Sequence, residues 1–181
     1  SGSPCAGLVM LSALASERLQ QTASTSFSCD LKKWRDIMAA YEKGGHAYHA
    51  TMPTDSLKAF AEVMRETQEM GFANARAAQE ELGAKVRELL VGQGIKNLVA
   101  PGFEAPSVVV SYTDDGEMQS GKRFAALGMQ IAAGVPLQCD EAEDFQTFRI
   151  GLFGLDKLKN VDRTVSSLAK TLNKMSLEAV A

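Results

Sequence analysis

The sequence predicts a mixed α/β chain ending in an α+β module, and three observations carry that reading. Apolar residues recur at helical spacing through most of residues 54–92. The period then shortens to that of strands in residues 95–113 and again at 147–152, and a last amphipathic helix follows Asn160. With 181 residues, 45% of them hydrophobic and 23% charged, the chain has enough apolar material for one or two compact domains and is too apolar to stay disordered.

The first element expected is a strand. After Ser1-Gly2-Ser3-Pro4, the run from Ala6 to Leu11 has the length and punctuation of a strand buried inside a parallel sheet. One strand cannot make a sheet, so the run is read as part of a larger domain whose preceding portion lies outside this chain. Residues 16–22 fit a short helix. Asp30 then caps a longer one reaching Tyr41, with Leu31, Trp34, Ile37, Met38 and Tyr41 on one face. Gly44-Gly45 break that pattern, and residues 46–53 read as an extended loop closed by Pro53.

Thr54-Asp55 open a helix carrying Leu57, Phe60, Ala61 and Met64 at helical spacing, and Gly71 ends it. A second helix is marked by Ala75, Ala78, Leu82, Val86, Leu89 and Leu90 and stops at Gly92 to Gly94. Strands are expected at 95–100 and 107–113, a helix at 119–127, and a short strand at 129–132. A further strand at 147–152 precedes the last helix, whose apolar stripe is Val161, Val165, Leu168, Leu172 and Met175. Gly71 marks the expected boundary between residues 1–70, the remnant of a larger domain, and residues 71–181, a smaller module. No internal repeat or low-complexity segment occurs.

Charge excludes several functions. A formal net charge of −3 and a pI near 5.5 arise from interspersed residues, which leaves no electrostatic footprint for nucleic acid or an anionic membrane. No apolar stretch approaches the roughly 18 residues needed to span a bilayer. The opening run also lacks the basic flank of a secretory signal, so a cytoplasmic protein acting on small molecules is expected. Cys5, Cys29 and Cys139 lie far apart with no CxxC spacing, which predicts buried or inert thiols. His46 and His49 have no acidic or thiol ligand near in sequence, so neither a metal site nor catalysis by histidine is expected.

Three ordered stretches resemble one family. Gly7-Leu8-Val9-Met10-Leu11-Ser12 after the Pro4 turn is similar to the strand that follows the Schiff-base lysine of class V pyridoxal-phosphate aminotransferases. Tyr48-His49-Ala50-Thr51-Met52-Pro53 resembles that family's Tyr-His-x-Thr-x-Pro loop, and Phe148-Arg149-Ile150-Gly151-Leu152-Phe153-Gly154 with Asn160-Val161-Asp162 resembles its Arg-Ile-Gly-x-x-Gly ending. The resemblance extends over essentially the whole chain. It implies the C-terminal half of an alanine–glyoxylate or serine–pyruvate aminotransferase: a remnant of the fold-type I large domain followed by the small C-terminal domain.

It further implies pyridoxal 5'-phosphate as cofactor, a homodimer, and small amino acid and 2-oxo acid substrates. The Schiff-base lysine would lie just upstream of Ser1, so this chain alone is expected to be inactive. By the same resemblance Arg149 binds the substrate carboxylate, and Tyr48 and Thr51 reach the cofactor phosphate. The chemistry suits these roles. A planar guanidinium holds a carboxylate through two parallel hydrogen bonds, and phenol and hydroxyl groups donate to phosphate oxygens. The simpler alternatives are a surface or interstrand salt bridge for Arg149, and loop packing or helix capping for Tyr48 and Thr51.

Cys139 is flanked by Asp140 and Glu141, whose carboxylates discourage a thiolate, which argues against a cysteine desulfurase. Two other readings stay open: a phosphonate aminotransferase or lyase of the same superfamily, and a free-standing α+β binding or oligomerisation module. The second leaves the apolar run at 7–12 with no sheet to join, a liability in a complete soluble protein.

Overall fold

A computed structural model describes residues 7–178. Eight helices and a three-stranded sheet form among these residues, in two compact units, Gly2–Glu62 and Val63–Ala181. The expected mixed α/β class is the one observed.

In the first unit, α1 (Ala13–Gln20) is capped by Ser12, whose hydroxyl accepts from the Ala15 amide. Helix α2 (Leu31–Glu42) begins, as expected, at Asp30, whose carboxylate accepts from the Lys33 amide at 3.0 Å. Lys32 Nζ donates to the Gln20 carbonyl and Arg35 Nη1 to that of Ser16, which ties the two helices together. The expected strand does not form: residues 7–12 have no regular structure, and Leu8, Val9, Met10 and Leu11 are exposed. The reason is the absence of any other strand among the described residues of this unit; an extended segment without a neighbour has no ladder to bond into and no sheet face to bury. The portion of the run at Ala6 lies outside the described residues.

Helix α3 (Thr54–Met70) starts after the Pro53 loop and stops at Gly71, and α4 (Phe72–Gly92) follows at once. The second unit then builds β1 (Val108–Tyr112), α5 (Gly116–Gln119), α6 (Lys122–Ala126), β2 (Ala132–Ala133), β3 (Thr147–Gly151), α7 (Leu155–Lys159) and α8 (Val161–Glu178). The sheet is antiparallel in the order β1-β3-β2, with Val109 opposite Ile150 and Val110 opposite Arg149. Strand periodicity puts Val109, Ser111, Phe148 and Ile150 on one face, and all four are buried. That face meets Leu82, Val86 and Leu90 of α4 and Leu168, Leu172 and Met175 of α8 in one core, with Phe124 and Leu152.

Three expectations about boundaries are corrected. Residues 119–127 are not one helix, because Gly121 takes a left-handed φ of +78° that separates α5 from α6. Residues 95–100 make only a bridge between Asn97 and Ser111, since the Ile95 amide is drawn back to the Leu90 carbonyl at the end of α4. The short strand expected at 129–132 is displaced to Ala132–Ala133. Met129 bonds back to the Phe124 carbonyl, and its side chain packs against the core with that of Ile131.

Candidate functional site

Arg149 is carried by the central strand of the sheet. Its neighbours Phe148 and Ile150 point into the core, so alternation sends Arg149 to the opposite face, beside Val110 on one flank and Ala132 on the other. The side chain is partly exposed, and Nε donates to the Ala133 carbonyl at 2.9 Å. Nη1 and Nη2 have no hydrogen-bond partner among the described residues, and no carboxylate there forms an ion pair with this arginine. The interstrand salt bridge, the simpler reading of such a residue, is therefore absent among them. What is present is a guanidinium anchored by one nitrogen with its fork open.

Tyr48 and Thr51 lie in the other unit, in the loop before α3, and both are exposed, Tyr48 at 79%. Neither hydroxyl has a hydrogen-bond partner among the described residues, so Thr51 is not acting as a helix cap. The helix entry is organised by the backbone instead, with the Thr54 amide on the Met52 carbonyl and the Leu57 amide on that of Pro53. Two free hydroxyls just ahead of a helix with unpaired N–H groups suit an anionic oxygen, the chemistry a phosphate group would require. The residues present fit the phosphate end of the implied cofactor.

The loop is held by His49, for which the sequence predicted neither metal binding nor catalysis and gave no structural role. His49 bonds through Nε2 to the Phe27 carbonyl at 2.9 Å. Its ring sits 4.2 Å from that of Phe27 and edge-on to Trp34 at 5.1 Å. Trp34 Nε1 in turn donates to the Ser28 carbonyl at 2.7 Å. His49 is thus an anchor for the backbone on which Tyr48 and Thr51 stand. The aromatic residues were legible, but their convergence depends on the chain reversal between residues 27 and 49, which no periodicity records.

Cys29 and Cys139 are exposed rather than buried, and Cys5 lies outside the described residues. Beside Cys139, the Glu141 carboxylate accepts from the amides of Leu137, Gln138 and Cys139 at 2.5, 2.9 and 2.8 Å. These backbone donors, that of Cys139 foremost, hold the Glu141 carboxyl down at about 2. Among the described residues, no three His, Cys, Asp or Glu side chains converge as a metal site would require, and no helix is long and apolar enough to cross a membrane.

The fold is similar to part of the fold of several solved aminotransferases. It is similar to an alanine–glyoxylate aminotransferase from Nostoc sp., with a TM-score of 0.67 and 19% identity over 90% of this chain and 42% of that one. A ureidoglycine–glyoxylate aminotransferase from Bacillus subtilis matches with a TM-score of 0.63 and 22% identity, over 87% of this chain and 39% of that one. A subgroup IV aspartate aminotransferase from Thermus thermophilus matches at 0.59 and 20% identity, over 91% and 43% of the two chains. The chain therefore spans about two-fifths of the length of these proteins. No family model and no curated protein matches the sequence.

Proposed function

We propose that this chain is the C-terminal portion of a class V, pyridoxal-phosphate-dependent aminotransferase. The whole protein moves an amino group between a small amino acid, alanine or serine, and a 2-oxo acid, glyoxylate or pyruvate. It works as a cytoplasmic homodimer. Residues 1–70 close the large cofactor domain and residues 71–181 are the small domain. The observation that carries the reading is the open fork of Arg149 on a sheet whose fold is that of aminotransferases.

Arg149 binds the substrate carboxylate through paired, charge-assisted hydrogen bonds, which sets both the position and the rotation of the substrate. Tyr48 and Thr51 donate to the cofactor phosphate. When bound, the cofactor supplies the electron sink for the bond broken next to that carboxylate. The amine that exchanges with substrate comes from a lysine outside this chain, so the chain alone is inactive.

Arg149→Lys in the full-length enzyme tests the reading. Losing one of two charge-assisted bonds raises KM for the amino and the oxo acid alike by about 10- to 100-fold. An unchanged KM for both overturns the carboxylate role. For the isolated chain, borohydride treatment with pyridoxal phosphate is expected to fix no stoichiometric label on any single lysine. A label on one lysine overturns the assignment of the amine to a missing segment.

A further inference from the structure

A guanidinium can meet a carboxylate in two parallel-bond geometries, side-on through Nε and one Nη, or end-on through Nη1 and Nη2. In this protein the first is closed, because Nε already donates to the Ala133 carbonyl at 2.9 Å. That carbonyl belongs to β2, a strand of only two residues paired to β3 at Ala132–Arg149 and Ala133–Phe148. So short a ladder cannot by itself hold a carbonyl in place against thermal motion.

The next residue does the holding. A Cβ on Gly134 would lie 1.8 Å from the Thr147 carbonyl oxygen and 2.5 Å from its carbon, both backbone atoms of β3. The Gly134 amide donates to the Gln119 carbonyl at 3.0 Å on its other side. Its φ is not in the left-handed region, so space rather than torsion demands glycine here. The chain passes β3 at a distance that only a bare Cα permits, and that approach brings the Ala133 carbonyl onto Arg149.

We propose that Gly134 is a positioning residue for Arg149: by seating the Ala133 carbonyl on Nε, it presents the guanidinium end-on, with Nη1 and Nη2 left for a carboxylate. This rests on the carboxylate-binding reading of Arg149 and adds which edge of the group is used and what fixes it. Ala132, opposite Arg149 in the ladder, has a side chain of a single carbon.

The test uses the full-length enzyme with 15N-labelled arginine and pyruvate as the acid. Arg149 Nε–H is expected to exchange with solvent at least about tenfold more slowly than in free arginine before pyruvate is added, and to keep that rate after saturation. Fast exchange without pyruvate, or protection that appears only with it, overturns the proposal. In kinetics, Gly134→Ala is expected to raise KM for pyruvate by about tenfold with kcat little changed, the signature of lost binding rather than lost chemistry. A folded Gly134→Ala enzyme with unchanged KM overturns it as well. Should that variant fail to fold, the exchange measurement on the unsubstituted enzyme decides. Arg149→Lys separates the two levels. If it raises KM while Gly134→Ala does not, only the positioning role falls; if neither does, the carboxylate role falls with it.

Discussion

The two units of this chain use apolar residues in opposite ways. In Val63–Ala181, helices α4 and α8 and one sheet face enclose Leu82, Leu90, Phe124 and Phe148 with no measurable exposure. In Gly2–Glu62, Ile37 at 8% is the one buried hydrophobic side chain among the described residues, while Leu8, Met10, Phe27, Met38 and Tyr41 face outward. Both stretches are rich in apolar residues, so composition does not explain the contrast. Layering does: a helix pair on a sheet gives each apolar stripe an opposite face, and helices joined by loops with no sheet do not. The second unit is held by its interior, and the first by polar contacts of its backbone and by the Phe27–His49–Trp34 group.

The largest expected effect sharpens that contrast. Phe148→Ala removes a buried ring that packs on Phe124 with centroids 5.6 Å apart. It should cost about 3–5 kcal/mol, read as faster amide exchange in β3. Met10→Ala, at 93% exposure, should shift stability by no more than about 0.5 kcal/mol. Comparable losses from the two would show that the units share a single core and would break the distinction.

An intermediate effect concerns what holds the first unit. Asp30→Ala deletes the cap of α2 and should cost about 1 kcal/mol, followed by urea titration of Trp34 fluorescence. Trp34 is the single tryptophan, so this signal reports on its own unit. No change in the midpoint would mean that the aromatic group alone sets the stability there.

The smallest effect is local and depends on pH. Glu141 has its carboxyl lowered from 4.5 to about 2 by the amides it accepts. A depressed carboxyl stabilises the folded loop above the unfolded value and loses that contribution as pH falls through the folded one. The amides of residues 137–139 should therefore stay protected at pH 5 and lose protection between about pH 4.5 and 2. Glu141→Gln should remove the dependence, and an unaltered profile in that variant would show that Glu141 does not latch the loop.

Much of the second unit was legible because its signals are local. The stripe of Leu82, Val86 and Leu90, the alternation around Arg149, and the last helix from Val161 to Met175 each declare a face without reference to the rest of the chain. What failed was pairing. The apolar run at 7–12 has the composition of a strand but not a partner, and residues 95–100 have one but are turned aside by the bond from Ile95 to Leu90. At the candidate site, alternation put Arg149 on the open face, yet nothing local to residue 149 announces that the Ala133 carbonyl occupies its Nε. The role of Gly134 was invisible for the same reason, since it depends on how near two segments pass.

The bridge between Asn97 and Ser111 has a consequence for how the protein behaves in company. With the Leu98 amide bonded to the Val110 carbonyl and the Tyr112 amide to that of Lys96, the outer margin of β1 is covered in part by residues 96–98. At the far side, β2 offers only two residues before the chain turns away to Gln119. Each border is therefore short or partly covered, which makes it a poor template for a further strand. Fibrillar polymers nucleated on this sheet are thereby disfavoured, and association between copies is left to side-chain surfaces.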